Sequence, residues 1–151
     1  MRGNSARRAQ PVRFGYFQTD TAQKMKTILV DAIYAFVLAD KTIYKEMYNL
    51  LETFPNRKIL LTGASGSRFK EFGLDRMQYE VFTLNHSPDK SDPAYYTKML
   101  EHFGLTSDDV IYFEQNKNAV KSARSVGIHT YYYDPIKKDL IALKSFLTQH
   151  T

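Results

Sequence analysis

The stretch that decides the fold of this chain is KTILVDAIYAF, residues 26–36. Its TILV run, residues 27–30, is short, apolar and rich in β-branched side chains, as is typical of a strand buried on both faces of a sheet. The run ends abruptly at Asp31. A carboxylate in that position either caps the following turn or belongs to a reactive site at the carboxyl edge of the sheet. The stretch alone leaves both interpretations open.

Four further apolar runs predict strands, and each is preceded by a segment with helical spacing or helix-ending residues. The predicted strands are 58–61 (KILL), 79–84 (YEVFTL), 110–113 (VIYF) and 128–133 (IHTYYY). The predicted helices are 40–54, a short one through Phe69 and Phe72, 93–103, 118–126 and 140–147, with Asp40 as the cap of the first. This alternation predicts an α/β fold, a doubly wound three-layer sandwich around a five-stranded parallel sheet.

In such a sheet the ligand site lies beyond the carboxyl ends of the strands. The residues that follow the five predicted strands are Asp31, Thr62, 85–90, 114–116 and Asp134. Each has an ordinary structural explanation, since Thr62 can satisfy a turn, Lys90 can be solvated and Glu114 can cap a helix. Their joint occurrence at four strand ends instead favours a common site.

Phosphate chemistry suits this combination of side chains. Asp31 is the candidate nucleophile that attacks phosphorus, and Lys90 is the candidate cation that neutralises the phosphoryl charge. Thr62 and the backbone amides of Gly63 and Ala64 are expected to bind phosphoryl oxygens. Glu114 is expected to help hold Mg²⁺.

Two of these stretches resemble motifs of the haloacid dehalogenase-like (HAD) superfamily of aspartyl-nucleophile phosphohydrolases. Asp31 stands where the first motif, D-x-D-x-[TV], has its nucleophile, and Thr62-Gly63 looks like the second motif. Two further stretches extend the resemblance over residues 27–134. Residues 90–95 (KSDPAY) are similar to the third motif, K-P-D-P-x-x-[FY], and 110–116 (VIYFEQN) resembles the strand and acidic pair of the fourth.

The resemblance implies the strand order 3-2-1-4-5, with Asp31 and Glu114 on neighbouring strands. It also implies a Mg²⁺ site made by Asp31, the backbone carbonyl of Ile33, Glu114 and the position of Gln115. Two departures weaken the expected chemistry. Ile33 replaces the aspartate that protonates the leaving group, a loss that typically costs ~10²-fold to ~10⁴-fold in rate. Gln115 brings no charge where the family usually has a metal ligand.

No insertion large enough for a substrate-covering cap domain interrupts the predicted elements. Only about thirty residues separate Asp31 from Thr62, and one predicted helix uses most of them. The resemblance therefore implies a capless member with an exposed site. In the family such members act on large phosphorylated substrates or close the site with a second subunit, so a macromolecular substrate and a homo-oligomer are both expectations here.

The net charge of +5 belongs to the beginning of the chain. Residues 1–30 carry six basic side chains and one acidic one, whereas residues 31–151 hold fifteen of each. We therefore divide the chain into a basic leader, 1–26, and a HAD-like domain, 27–151. Residues 1–10 lack the apolar core of a secretory signal, and a disordered tail is favoured over a transit peptide or a phosphate-binding arm. The aromatic run 12–17 (VRFGYF) is expected to pack as an added strand or against the domain.

Composition narrows the function further. No apolar run is long enough to span a membrane, and the chain has no cysteine, which excludes disulfides and thiolate chemistry and fits a cytoplasmic protein. Nucleic-acid binding is disfavoured because the domain is neutral. Two functions stay open, a slow Mg²⁺-dependent phosphohydrolase and a binding or regulatory protein that has kept the scaffold without turnover.

Overall fold

The computed structural model describes residues 25–151. Five strands form one sheet: β1 (Thr27–Asp31), β2 (Lys58–Leu61), β3 (Glu80–Phe82), β4 (Val110–Glu114) and β5 (His129–Tyr132). Their order is β3-β2-β1-β4-β5, and every neighbouring pair is parallel. The predicted fold class and the strand order implied by the resemblance are therefore confirmed.

Helices cover both faces of the sheet. They are α1 (Lys45–Glu52), α2 (Gly66–Glu71), α3 (Pro93–Phe103), α4 (Lys117–Ser125) and α5 (Leu140–His150), with short 3₁₀ turns at Leu74–Arg76 and Ser107–Asp109. Side chains alternate between two hydrophobic clusters along β1: Ile28 and Val30 pack with α1 and α5, and Leu29 packs with α3 and α4. All of β1 is buried, as expected for a central strand covered on both sides.

The first helix begins later than the sequence predicted. It starts at Lys45, and Asp40 does not cap it, because the Asp40 carboxylate accepts hydrogen bonds from the backbone and the hydroxyl of Thr42 at 3.0 and 2.6 Å. Ile43, which lies within the predicted helix 40–54, is 46 % exposed. It forms an isolated β-bridge with Val37, so pairing within residues 32–44 overrides helical spacing there.

The predicted leader and the aromatic run 12–17 lie outside the described residues, apart from residues 25 and 26. Within residues 25–151, no helix has both the length and the hydropathy needed to cross a membrane.

Candidate active site

The carboxylates of Asp31 and Glu114 meet at one ammonium group. Lys90 Nζ lies 2.6 Å from Asp31 Oδ1 and 2.7 Å from Glu114 Oε1, and donates a third hydrogen bond to the carbonyl of Leu61 at 3.2 Å. Asp31 and Glu114 end the adjacent strands β1 and β4, which places their side chains together at the carboxyl edge of the sheet. The structure thus brings together three residues that lie far apart in the sequence.

The loop that carries Lys90 is held in place by contacts of the residues that directly follow it. After it, the Asp92 side chain caps α3 by accepting from the backbone N–H of Ala94 at 2.9 Å, and Pro93 occupies the first turn. The hydroxyl of Ser122 on α4 donates to the carbonyl of Ser91. These contacts fix the backbone beside Lys90, so its side chain enters the site from a defined position.

Burial and charge set the protonation of this cluster. Asp31 is 1 % exposed, and its burial, followed by the repulsion of Glu114, raises the pKa of its carboxyl well above the usual value. Burial also opposes the charged form of Glu114, but Lys90 and hydrogen bonds outweigh it and lower the pKa of that carboxyl. The pKa of Lys90 is raised, because the two carboxylates outweigh its desolvation. The ammonium is therefore charged, and it contacts both carboxyl groups.

Glu114 has no free oxygen. Its Oε1 accepts hydrogen bonds from the hydroxyl of Tyr112 and from Lys90, and its Oε2 accepts from the backbone N–H of Asn116 at 2.8 Å. The side chain of Asn116 in turn caps α4 by accepting from two backbone N–H groups of its first turn. Tyr112, which the sequence did not single out, thus orients Glu114 from within β4.

The turn after β2 forms one wall of the site. Thr62 Oγ1 accepts a hydrogen bond from the backbone N–H of Ala64 at 3.0 Å, and the Ala64 carbonyl accepts from the hydroxyl of Thr83 at 2.7 Å. Of the two amides expected to bind phosphoryl oxygens, that of Ala64 is occupied by Thr62. The amide of Gly63 has no hydrogen bond within the described residues.

Tyr95 on α3 binds the backbone of this turn through its side-chain hydroxyl. Its buried hydroxyl donates to the carbonyls of Thr62 at 2.8 Å and Phe82 at 3.2 Å, which joins the ends of β2 and β3. We expect Tyr95→Phe to lower the free energy of unfolding by about 1–3 kcal/mol, because the carbonyl of Thr62 stays buried without its donor. Urea denaturation of both proteins measures the difference. Tyr132→Phe on the half-exposed face of β5 is the control, and an equal loss in both variants would contradict this role of Tyr95.

A cleft of about 270 Å³ is lined by Asp31, Thr62, Lys90 and Glu114. Ile33 and Gln115 line it too, so both departures from the family motifs lie at the site. Asp134 does not, since its carboxylate accepts from the backbone of Ile136 and Lys137 in a turn. The cleft is also lined by Tyr34 and Arg68, which the sequence did not single out, and by His86 and Asp89, which lie in the strand-end segment 85–90 but were given no role there.

The donor set does not fit a conventional Mg²⁺ site. Glu114 is fully buried and both of its oxygens are occupied, Gln115 offers a neutral amide, and Asp31 is held by Lys90. Within residues 25–151, no group of three His, Asp or Glu side chains could hold a metal ion. Mg²⁺ favours several anionic oxygens, and here the lysine already supplies the positive charge between the carboxylates.

No protein-family model matches the chain, and no curated protein matches it. Solved structures, in contrast, do match the chain. An uncharacterised protein from Corynebacterium glutamicum superimposes with a TM-score of 0.59 at 16 % identity, covering 82 % of this chain and 96 % of that protein. A HAD family enzyme from Bacteroides thetaiotaomicron, a variant in complex with magnesium and inorganic phosphate, gives 0.60 at 11 % identity over 74 % of this chain and 95 % of that one. Together with the strand order, these likenesses show that the chain has the fold of the HAD-like hydrolases.

Proposed function

We propose that this protein hydrolyses phosphate monoesters slowly, through a phosphoryl group transferred to Asp31. The observation that supports the proposal most is the single cleft in which a strand-end carboxylate, a lysine paired with it and a hydroxyl-glycine turn face one another. This arrangement suits an anionic tetrahedral group. A large phosphorylated partner is the substrate class that the site suits best, because the cleft is not closed by a domain-sized insertion in the described residues.

The two oxygens of Asp31 have different surroundings. Oδ1 is paired with Lys90 at 2.6 Å, whereas Oδ2 accepts a longer hydrogen bond, 3.3 Å, from the backbone N–H of Gln115. Oδ2 is therefore the oxygen that attacks phosphorus as the ester P–O bond breaks, and water then cleaves the aspartyl phosphate. Lys90, the Thr62 hydroxyl and the Gly63 amide bind the phosphoryl oxygens, where fixed donors stabilise the developing charge.

Two features make this turnover slow. Ile33 cannot protonate the departing oxygen, and the raised pKa of Asp31 leaves less of the carboxylate form that attacks. The rate of hydrolysis is expected to depend only weakly on Mg²⁺, because the residues present do not fit a conventional Mg²⁺ site. Activity should therefore favour esters whose leaving group departs as a stable anion.

The test is phosphate release from 4-nitrophenyl phosphate, measured with and without Mg²⁺. We expect a slow rate that falls to the buffer background in Asp31→Asn and changes little when EDTA replaces Mg²⁺. Asp134→Asn is the matched control, since Asp134 follows a strand in the same way but lies outside the cleft. Release that survives in Asp31→Asn would rule out the proposed nucleophile.

A binding protein without turnover is the second candidate. Two observations favour it. Ile33 and Gln115, the two departures from the family motifs, line the same cleft, and the carboxylate of Glu114 already accepts hydrogen bonds from Tyr112 and Asn116. Calorimetric titration with inorganic phosphate separates the two candidates. Binding that is lost in Lys90→Met, without Asp31-dependent phosphate release, would establish binding as the function of the cleft.

A further inference from the structure

A histidine and a carboxylate form a pair on the rim of the cleft. His86 Nδ1 lies 2.5 Å from Asp89 Oδ1, and both side chains are about half exposed. Within the described residues, His86 Nε2 makes no hydrogen bond. A carboxylate on Nδ1 fixes the ring and keeps a proton on that nitrogen, which leaves Nε2 as the position that exchanges a proton.

The backbone places this ring against the phosphate-binding turn. Asn85 and His86 both have positive φ angles, 55° and 62°, which is uncommon for residues with a side chain. A Cβ on Gly63 would lie 3.1 Å from His86 Nδ1 and 3.2 Å from its Cε1. Glycine at position 63 is therefore what allows the imidazole to approach the turn so closely. Backbone strain of this kind persists where the surrounding structure holds a residue in place, often at functional sites.

The other titratable groups of the cleft are already engaged. Asp31, Lys90 and Glu114 bind one another, and the Tyr34 hydroxyl accepts a hydrogen bond from Arg68 at 3.3 Å. A guanidinium does not release its proton near neutral pH, and phenols hold theirs more tightly than imidazolium does. Among the described residues that line the cleft, His86 is thus the side chain best suited to give a proton to a leaving group.

We propose that His86, positioned by Asp89, is the general acid of the reaction and takes the role that Ile33 cannot perform. This inference rests on the proposed hydrolysis. As Asp31 Oδ2 bonds to phosphorus, the ester P–O bond breaks and its electron pair stays on the leaving oxygen, which takes the proton from His86 Nε2. The alcohol departs and His86 is neutral. Neutral His86 then accepts a proton from the water that attacks the aspartyl phosphate, so the cycle consumes one water and restores the imidazolium.

The dependence of rate on the leaving group tests this role. Phenolate is more basic than 4-nitrophenolate, so its departure from phosphorus depends more strongly on protonation by a general acid. We expect His86→Gln to lower kcat/KM by about 10²-fold for phenyl phosphate, the lower end for a lost general acid, and only several-fold for 4-nitrophenyl phosphate. Asp89→Asn should change the two rates in the same sense by smaller factors, because it misorients the ring without removing it.

Two controls make the test specific. His102 is also an exposed histidine, but its ring packs on Phe82 and Phe103 and does not line the cleft. His102→Gln should leave both rates unchanged. In a protein that already carries Ile33→Asp, the effect of His86→Gln on phenyl phosphate should shrink, since a second acid is then present.

The outcomes separate the two proposals. If 4-nitrophenyl phosphate shows no Asp31-dependent release, the proposed function fails and the inference fails with it. If that release is present, the inference alone is overturned by equal losses on the two esters in His86→Gln, by an undiminished rate on phenyl phosphate, or by a wild-type protein that does not hydrolyse phenyl phosphate at all.

Discussion

Lys90→Met is expected to lower the free energy of unfolding by about 3–5 kcal/mol at neutral pH, the typical cost of removing one partner of a buried ion pair. The reason is that Lys90 is the shared counterion of two carboxylates that are almost completely buried. Without it, Asp31 and Glu114 face each other with no compensating charge. Chemical denaturation at pH 7.5 measures the loss.

The loss should shrink on acidification. The lowered pKa of Glu114 contributes stability that is present above its ordinary value of 4.5 and is lost as the pH falls through the folded-state value. The raised pKa of Asp31 acts in the opposite sense: its contribution is present below 3.8 and is lost as the pH rises through the folded-state value. Lys90→Met removes the favourable contribution of Glu114, so the variant should differ less from the wild type at pH 4 than at pH 7.5.

Lys90→Met combined with Glu114→Gln is the matched variant, because it removes the second buried charge as well. We expect the double variant to be more stable than Lys90→Met at pH 7.5. A destabilisation that is the same at both pH values, or a double variant no more stable than the single one, would contradict the counterion role of Lys90.

Ile33→Asp is expected to raise the hydrolysis of an alkyl phosphate such as glycerol phosphate by up to ~10²-fold, because a positioned general acid contributes ~10²-fold to ~10⁴-fold and His86 already supplies the lower end of that range. Ile33 is 8 % exposed and lines the cleft, so a carboxyl group there would reach the departing oxygen from a largely dry position. The gain on 4-nitrophenyl phosphate should be far smaller, because 4-nitrophenolate leaves readily without a proton. Phosphate release from both esters measures the difference.

Ile33→Asn controls for polarity and shape, since the amide has the size of the carboxyl group but no acidic proton. It should not show the gain. An increase in Ile33→Asn equal to that in Ile33→Asp would mean that hydration of the cleft, rather than proton donation, limits the rate. No gain in either variant would contradict the assignment of position 33.

The fold could be predicted from the sequence because its signal is local and repeated. The TILV run and four similar apolar runs each predict a buried strand, and the segments between them have the spacing of helices. The alternation of strands and helices therefore predicts a parallel sheet covered by helices on both faces. The order of the strands came from the family resemblance. The start of α1 was wrong because Val37 pairs with Ile43, a contact between loop residues that helical spacing cannot reveal.

The candidate site could be predicted in part for the same reason. Asp31, Thr62, Lys90 and Glu114 follow strands directly, and topology then requires them to approach one another. Tyr112 was missed because it lies within a strand, where its spacing is that of a core residue. Tyr95 was matched as the aromatic position of the third motif but was given no role, because on a helix it has the spacing of a core residue. His86 lies in the strand-end segment 85–90, but nothing in the sequence gave it a role; its place in the cleft and its contacts with Gly63 and Asp89 appear only in the structure.

The hydrogen bonds of Glu114 have a consequence for any attempt to build a metal site here. An aspartate introduced at position 115 would stand beside a carboxylate whose oxygens accept hydrogen bonds from Tyr112, Lys90 and the backbone of Asn116. Engineering a cation-binding cleft would therefore need a change at Tyr112 as well as the new carboxylate.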